Sequence, residues 1–286
     1  MENFVLYDEI GSGDKRTVYK GRRKGTVSYV AIHCVEKVHR PLIQNNVRVS
    51  YELSHPNVVQ FHEWYETTNH LWLVVELCAG DSLSAILSQD GYLPEKQVKE
   101  FGMHVVRALV YLHAHQDIVY GNLCPGNVLL DADGTLKLSN FCLSRFADME
   151  DDDEEDENVH EHDDSMSGQS TEKSRILYYQ SPELLKGEET VPTKQSDFWA
   201  LGCLLYEMFT GSAPYNYASV KHSTTDVSMK DEIYRQITES KMPYPMQGRL
   251  FFLFLFCWNL LTVFLHGSDI VIMTPFKIIR LSCSFL

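Results

Sequence analysis

Ile118-Val119-Tyr120-Gly121-Asn122-Leu123-Cys124-Pro125-Gly126-Asn127-Val128-Leu129-Leu130 is the stretch on which the reading of this chain turns. Two apolar runs enclose a short polar centre, which holds the amides Asn122 and Asn127 and no acid. A third amide follows ten residues after Leu130, in Asn140-Phe141-Cys142. An amide oxygen carries no net charge, so Asn122 and Asn140 cannot do the proton-accepting or cation-holding work of a carboxylate.

Moving outward, Asn127 to Leu130 and Thr135 to Leu138 flank Asp131-Ala132-Asp133-Gly134, a hairpin turn signature. Upstream, Pro94 to Gln116 reads as a helix, with Val98, Phe101, Val105, Leu109 and Leu112 spaced by three and four. That stripe is core packing, and His104, His113 and His115 read as solvated or structural, not as metal ligands. Leu71 to Cys78 is a continuous apolar strand leading into Ala79-Gly80-Asp81-Ser82-Leu83, and Ser28 to His33 is another strand. Phe4 to Glu9 alternates, breaks at Gly11-Ser12-Gly13 and resumes at Thr17, which predicts a hairpin with a glycine-rich turn. Downstream, Asp197 to Gly211 is apolar almost all round and must lie inside a lobe, with Asp197 expected as its cap and Gly211 as its end. Lys230 to Ser240 reads as one more helix.

The 286 residues suffice for one bilobed domain or two small ones, and a hydrophobic content of 44% is ordinary for a globular protein. The net charge of −14 is a local matter. Asp148 to Asp164 carries 12 carboxylates and no Lys or Arg, which leaves a body near −2 and argues against a nucleic-acid-binding face. This run and the Ser/Gly/Gln-rich stretch after it cannot bury enough apolar surface to offset ordering, so disorder is expected across about 148–173. The run serves either as a solvated spacer or as a docking surface for a basic protein. Seven cysteines without a C-x-x-C pair indicate neither zinc nor disulfides, and a reducing, cytoplasmic setting fits them. No signal peptide is read at the N-terminus.

Taken in order over about residues 1–245, these motifs resemble the protein kinase superfamily. Gly11, Gly13 and Val18 match G-x-G-x-x-G-x-V with Arg16 in the third glycine's place, and Val30-Ala31-Ile32-His33 matches V-A-I-K with the lysine turned to His33. Tyr120, Gly121 and Asn122 stand at the H-R-D positions with Asn127 retained, Asn140 stands at the D of D-F-G, and Ser181-Pro182-Glu183 matches A-P-E. The glutamate that would pair with the lysine falls on or beside Asn46. Within the superfamily, Gly21 to Gly25, Phe61 to Thr67 and Leu71 to Leu77 are similar to a divergent, pseudokinase branch of the unc-51-like serine/threonine kinases.

The resemblance implies an α+β, two-lobed kinase fold, with a β-rich lobe over residues 1–78 and a mainly helical lobe over 79–245. It implies ATP binding without the usual magnesium dependence, and association with cilia and microtubules. Gly11, Gly13, Lys15, Arg16, Val18, Ala31, Glu76, Cys78, Asn127 and Leu129 are the expected nucleotide contacts. His33, Asn122 and Asn140 are degenerate positions that leave no catalytic residue and no metal site. In this family the Asp197 counterpart holds the backbone of the catalytic loop, and the Gly121 counterpart is an arginine that receives an activation-loop phosphate. Two other functions compete with a nucleotide-binding scaffold. One is an active serine/threonine kinase with relocated residues, as with-no-lysine kinases place their lysine where Arg16 stands. The other is an interaction module with an empty pocket.

From about residue 246 the character changes, and Leu250 to Leu265 runs 16 residues without a charge, short of the ~20 that a bilayer span needs. A short membrane anchor, a buried replacement for the last helices and a non-native end all fit this tail. The last is favoured, because no amphipathic helices and no arginine partner for Glu183 follow. The helical lobe is then incomplete and leaves apolar surface exposed.

Overall fold

The computed structural model describes residues 3–13, 16–147, 176–187, 191–215 and 229–239, and the backbone of 271–274 and 277–280. The expectations for 148–173, for Lys15 and for the run from Leu250 to Leu265 lie outside the described residues.

Five strands make the first lobe: β1 (Phe4–Gly13), β2 (Arg16–Arg23), β3 (Tyr29–Glu36), β4 (Phe61–Glu66) and β5 (His70–Glu76). They pair antiparallel in the order β1-β2-β3-β5-β4. Alternation explains the two faces. Ile32, Val30 and Val74 bury on one side with Phe4, while Val35 and Leu71 bury on the other beneath α1 (Arg40–Ser50) through Ile43. One expectation is corrected here. β1 does not break at Gly11 but runs through Gly13, with Gly11 opposite Val18, Ser12 opposite Thr17 and Gly13 opposite Arg16. Two register shifts, between Leu6 and Glu9 and between Glu9 and Gly11, absorb the irregularity as bulges, so pairing survives the glycines.

The second lobe is built on α2 (Leu83–Asp90), α3 (Glu95–Val110), α4 (Pro182–Lys186), α5 (Lys194–Thr210) and α6 (Met229–Glu239). All five residues of the predicted stripe are buried, and they meet Leu201, Leu204 and Met208 of α5 in one core. After α3 the chain widens into a π-helical turn over Tyr111–His115. Short strands complete the lobe: β6 (Ile118–Val119) pairs with β9 (Arg145–Phe146), and β7 (Val128–Leu130) with β8 (Leu136–Leu138) around Gly134 at φ 80°. A last hairpin joins β10 (Val271–Thr274) and β11 (Lys277–Arg280). No helix among the described residues is long and apolar enough to cross a membrane.

The cap of α5 is a second correction. Thr193, not Asp197, is the N-cap, with its side chain accepting from the Ser196 N–H at 3.2 Å while the Ser196 hydroxyl accepts from the Thr193 N–H at 2.9 Å. The helix therefore starts four residues earlier than a cap at Asp197 would give. Asp197 is left one turn inside, free to bond elsewhere. Gly211, at φ 84°, ends the helix as expected.

Candidate functional site

A cavity of about 410 Å³ lies between the sheet and the second lobe. Gly11, Arg16 and Val18 reach it from the first hairpin, Ala31 and His33 from β3, Glu76 and Cys78 from the end of β5, and Leu129 and Asn140 from below. Asn46 of α1 lines it too, so the two positions where a lysine and a glutamate were expected both face this space as uncharged groups. Burial, and then the neighbouring Arg16 charge, lower the His33 pKa from 6.5 to about 3, so its imidazole is neutral at physiological pH. The Cys78 thiol is pushed up to about 12, by burial first and then by Glu76, so it offers no thiolate. Gly13 pairs with Arg16 at the end of β1. Asn122 and Asn127 are buried behind the wall, each 3% exposed.

Asn140 on the wall closes a ring of amides with Asn122 and Asn127 behind it. The Asn122 side-chain N–H donates to the Asn140 carbonyl at 2.9 Å, Asn140 donates to Asn127 Oδ1 at 3.1 Å, and Asn127 donates to the Asn122 carbonyl at 2.9 Å. Asn140 sits at φ 60°, a conformation that asparagine tolerates better than most residues. Ser139 ties the ring further, its N–H and hydroxyl both donating to the Asn127 carbonyl at 2.9 Å. The ring holds no carboxylate. Asn127 Oδ1 is already engaged, and hard divalent cations are held chiefly by charged oxygens, so the residues present do not fit a magnesium ion. Tyr120 cannot serve as a base instead. Burial raises its pKa well above 10.0, its hydroxyl donates to the Ser139 carbonyl at 2.5 Å, and its ring packs edge-on against Phe141 at 5.3 Å.

Asp197 supports this layer from beneath. Its Oδ2 accepts from the Tyr120 N–H at 2.8 Å and from His113 Nε2 at 2.8 Å, and its Oδ1 accepts from the Gly121 N–H at 2.7 Å. His113 is accordingly structural, with Phe198 edge-on at 5.2 Å.

The protein kinase domain model matches residues 4–253. The chain belongs to the protein kinase family. It is 46% identical over 250 residues to serine/threonine-protein kinase ULK4 of Mus musculus, covering 85% of this chain and 19% of that protein. It is 40% identical over 215 residues to serine/threonine-protein kinase RUNKEL of Arabidopsis thaliana, covering 75% and 14%. With serine/threonine-protein kinase 36 of Pongo abelii it shares 32% over 241 residues, covering 82% and 16%. The likeness to the unc-51-like kinases is thus supported, and the chain spans less than a fifth of the length of these relatives.

Set in the kinase fold, Gly121 is more than a lost arginine. It has φ 68°, and a Cβ built there would lie 2.9 Å from the Leu143 carbonyl and 2.9 Å from Pro192 Cγ. Neighbouring backbone and side-chain atoms already occupy the space that a side chain at 121 would need. Gly121→Arg is expected to cost about 2–4 kcal/mol of stability through left-handed strain and overpacking, without regaining a phosphate receptor. Equal denaturant midpoints for the two proteins would show that the space is open after all.

Several contacts of this kinase domain had no signal in the sequence. Asn45, beside the expected Asn46, donates to the Cys142 carbonyl at 2.9 Å and the Ser144 carbonyl at 2.8 Å, which ties α1 to the segment after Phe141 without an ion pair. Arg48 reinforces it by donating to Asn45 Oδ1 at 2.9 Å. At the hinge, Lys137 of β8 forms an ion pair with Glu76 and lies 3.4 Å from Asp131, while the Gln60 N–H donates to the other Glu76 oxygen at 3.1 Å. Lys137 itself is 9% exposed. Its bond joins the two lobes at the point where the sheet ends.

Proposed function

We propose that this kinase domain is a nucleotide-binding scaffold that does not transfer phosphate. The observation that carries the reading is the pairing of a lined cavity with a neutral amide ring where phosphoryl transfer requires a base and a metal-holding acid. Val18 and Ala31 above and Leu129 below would enclose an adenine, whose polar edge would meet the backbone near Glu76 and Cys78. Arg16 would hold the phosphates with a charge-assisted hydrogen bond. Lys15 is a further candidate for that role. Because no divalent ion is required by this set of residues, ATP would bind in the absence of magnesium.

The same reading extends outward by likeness to the unc-51-like kinases. The bound form would present its surface to protein partners of cilia or microtubules in the cytoplasm. The acidic run from Asp148 to Asp164 would dock a basic protein. Neither nucleic acid nor membrane is proposed as a partner.

A melting curve of the chain with ATP, once with magnesium and once with a chelator, tests the central claim. A ligand at about a hundred times its Kd adds about 2.7 kcal/mol to the folded state, which is a shift of about 5 °C or more. Similar shifts in both conditions are expected. A shift that needs magnesium would favour an active kinase with relocated residues, and no shift would leave an interaction module with an empty pocket.

A further inference from the structure

We propose that His33 takes up a proton when phosphate enters the cavity, so that the affinity of this site for nucleotide rises as the pH falls. The proposal rests on the nucleotide-binding reading above and adds its regulation. His33 sits mid-strand in β3, opposite Val18 on β2 and Leu73 on β5, with its imidazole on the cavity wall. It makes no hydrogen bond among the described residues, so one ring N–H and one ring lone pair are left for whatever enters the cavity.

The groups around it determine the direction of the effect. On the cavity wall the charged or titratable side chains are Arg16, Glu76, Cys78 and Asp81. Glu76 is engaged by Lys137 and Gln60, and Cys78 stays a neutral thiol. The wall offers only neutral groups from α1, Asn46 and Ser50, and neutral Ser139 and Asn140 from below. The charge that His33 feels is that of Arg16, which has the same sign as a protonated imidazole. With no anion present, the ring is held neutral. A phosphate placed between Arg16 and His33 brings more than one negative charge against a single guanidinium, and the balance reverses. The neutral ring then gains a proton and becomes a second cationic donor, at the position where a kinase lysine would supply a permanent one.

Acidification therefore acts in opposite senses with and without ligand. Without phosphate, the unfolded chain binds the His33 proton below about 6.5 and the folded chain does not until about 3, so lowering the pH through that window destabilises the fold. With phosphate bound, the folded complex takes the proton and gains affinity over the same window.

The test is titration calorimetry of the full chain with ATP in chelator, from pH 7.5 to 5.5, in two buffers of different ionisation enthalpy. The terminal phosphate titrates near pH 6 itself, so the quantity read is the difference between the wild type and His33→Gln at each pH. The wild type is expected to take up about one proton more than His33→Gln at the acid end, and to gain up to about tenfold more affinity per pH unit. His33→Lys, charged throughout, should bind more tightly at pH 7.5 and remove the difference in slope. Adenosine, which lacks phosphate, should bind without proton uptake at His33. Equal proton uptake by wild type and His33→Gln would overturn the proposal while leaving the nucleotide site standing. Failure of both ATP and adenosine to bind the wild type would overturn the site and the proposal together.

Discussion

Asp197→Ala is expected to cost about 3–5 kcal/mol, a larger loss than that of Gly121→Arg. The carboxylate is 1% exposed and accepts three hydrogen bonds, from the Tyr120 and Gly121 backbone and from His113. Removing it strands the buried Tyr120 N–H, the half-buried Gly121 N–H and a buried imidazole at once, and each unsatisfied buried donor costs about 1–3 kcal/mol. The loss is also expected to spread. Tyr120 and Asn122 bond to Ser139 and Asn140, so loosening the backbone at Tyr120 loosens the amide ring and the segment leading to β9. Chemical denaturation of the variant, with and without ATP, measures the first effect. Hydrogen exchange across 118–147 measures the second. A variant with wild-type stability would mean that this carboxylate does not support the loop.

The second large effect is expected in binding. Arg16→Ala should weaken ATP about 10- to 100-fold, since a hydrogen bond to a charged group contributes about 1.5–3 kcal/mol, and should leave adenosine nearly unchanged. Arg16 opens β2 opposite Gly13, and it lies on the cavity wall with His33. Its removal acts on His33 as well. The guanidinium is one of the two causes that hold the imidazole pKa down, so the variant should move that pKa up from about 3, by an amount readable in the ring proton chemical shifts. Unchanged ATP affinity would exclude Arg16 from the phosphate site. An unchanged His33 titration would mean that burial alone keeps the ring neutral.

These two residues differ in how they could be found. Arg16 was legible because its spacing from Gly11, Gly13 and Val18 is a property of consecutive residues. Asp197 was legible as a kinase residue, but its place was misread as the cap of α5. Asp and Thr are both good caps, and the pattern alone did not decide between them. The capping box of Thr193 and Ser196 wins because both of its hydrogen bonds can form there, whereas the Asp197 oxygens are consumed by Tyr120, Gly121 and His113. A similar competition explains β1. Glycine weakens a strand, yet Gly11 and Gly13 remain paired because Val18, Thr17 and Arg16 lie opposite and the bulges take up the slack.

Legible in the sequence alone were strands β1, β2, β3 and β5, the β7–β8 hairpin, helices α3, α5 and α6, the buried stripe of α3 and the loss of charge at His33, Asn122 and Asn140. Those features depend on periodicity, on residue type and on spacings of a few residues, all of which are local. Only the tertiary structure decided that the three asparagines close on one another, that Asn45 rather than Asn46 ties α1 to Cys142 and Ser144, and that Lys137 bridges the lobes at Glu76. The Asn45 bonds join residues 97 and 99 positions apart, and the Lys137 bond spans 61. An amide works as donor or acceptor with equal ease. Which partner it finds is set by the few ångströms and the orientation that packing the lobes provides, and no pattern along the chain contains that information.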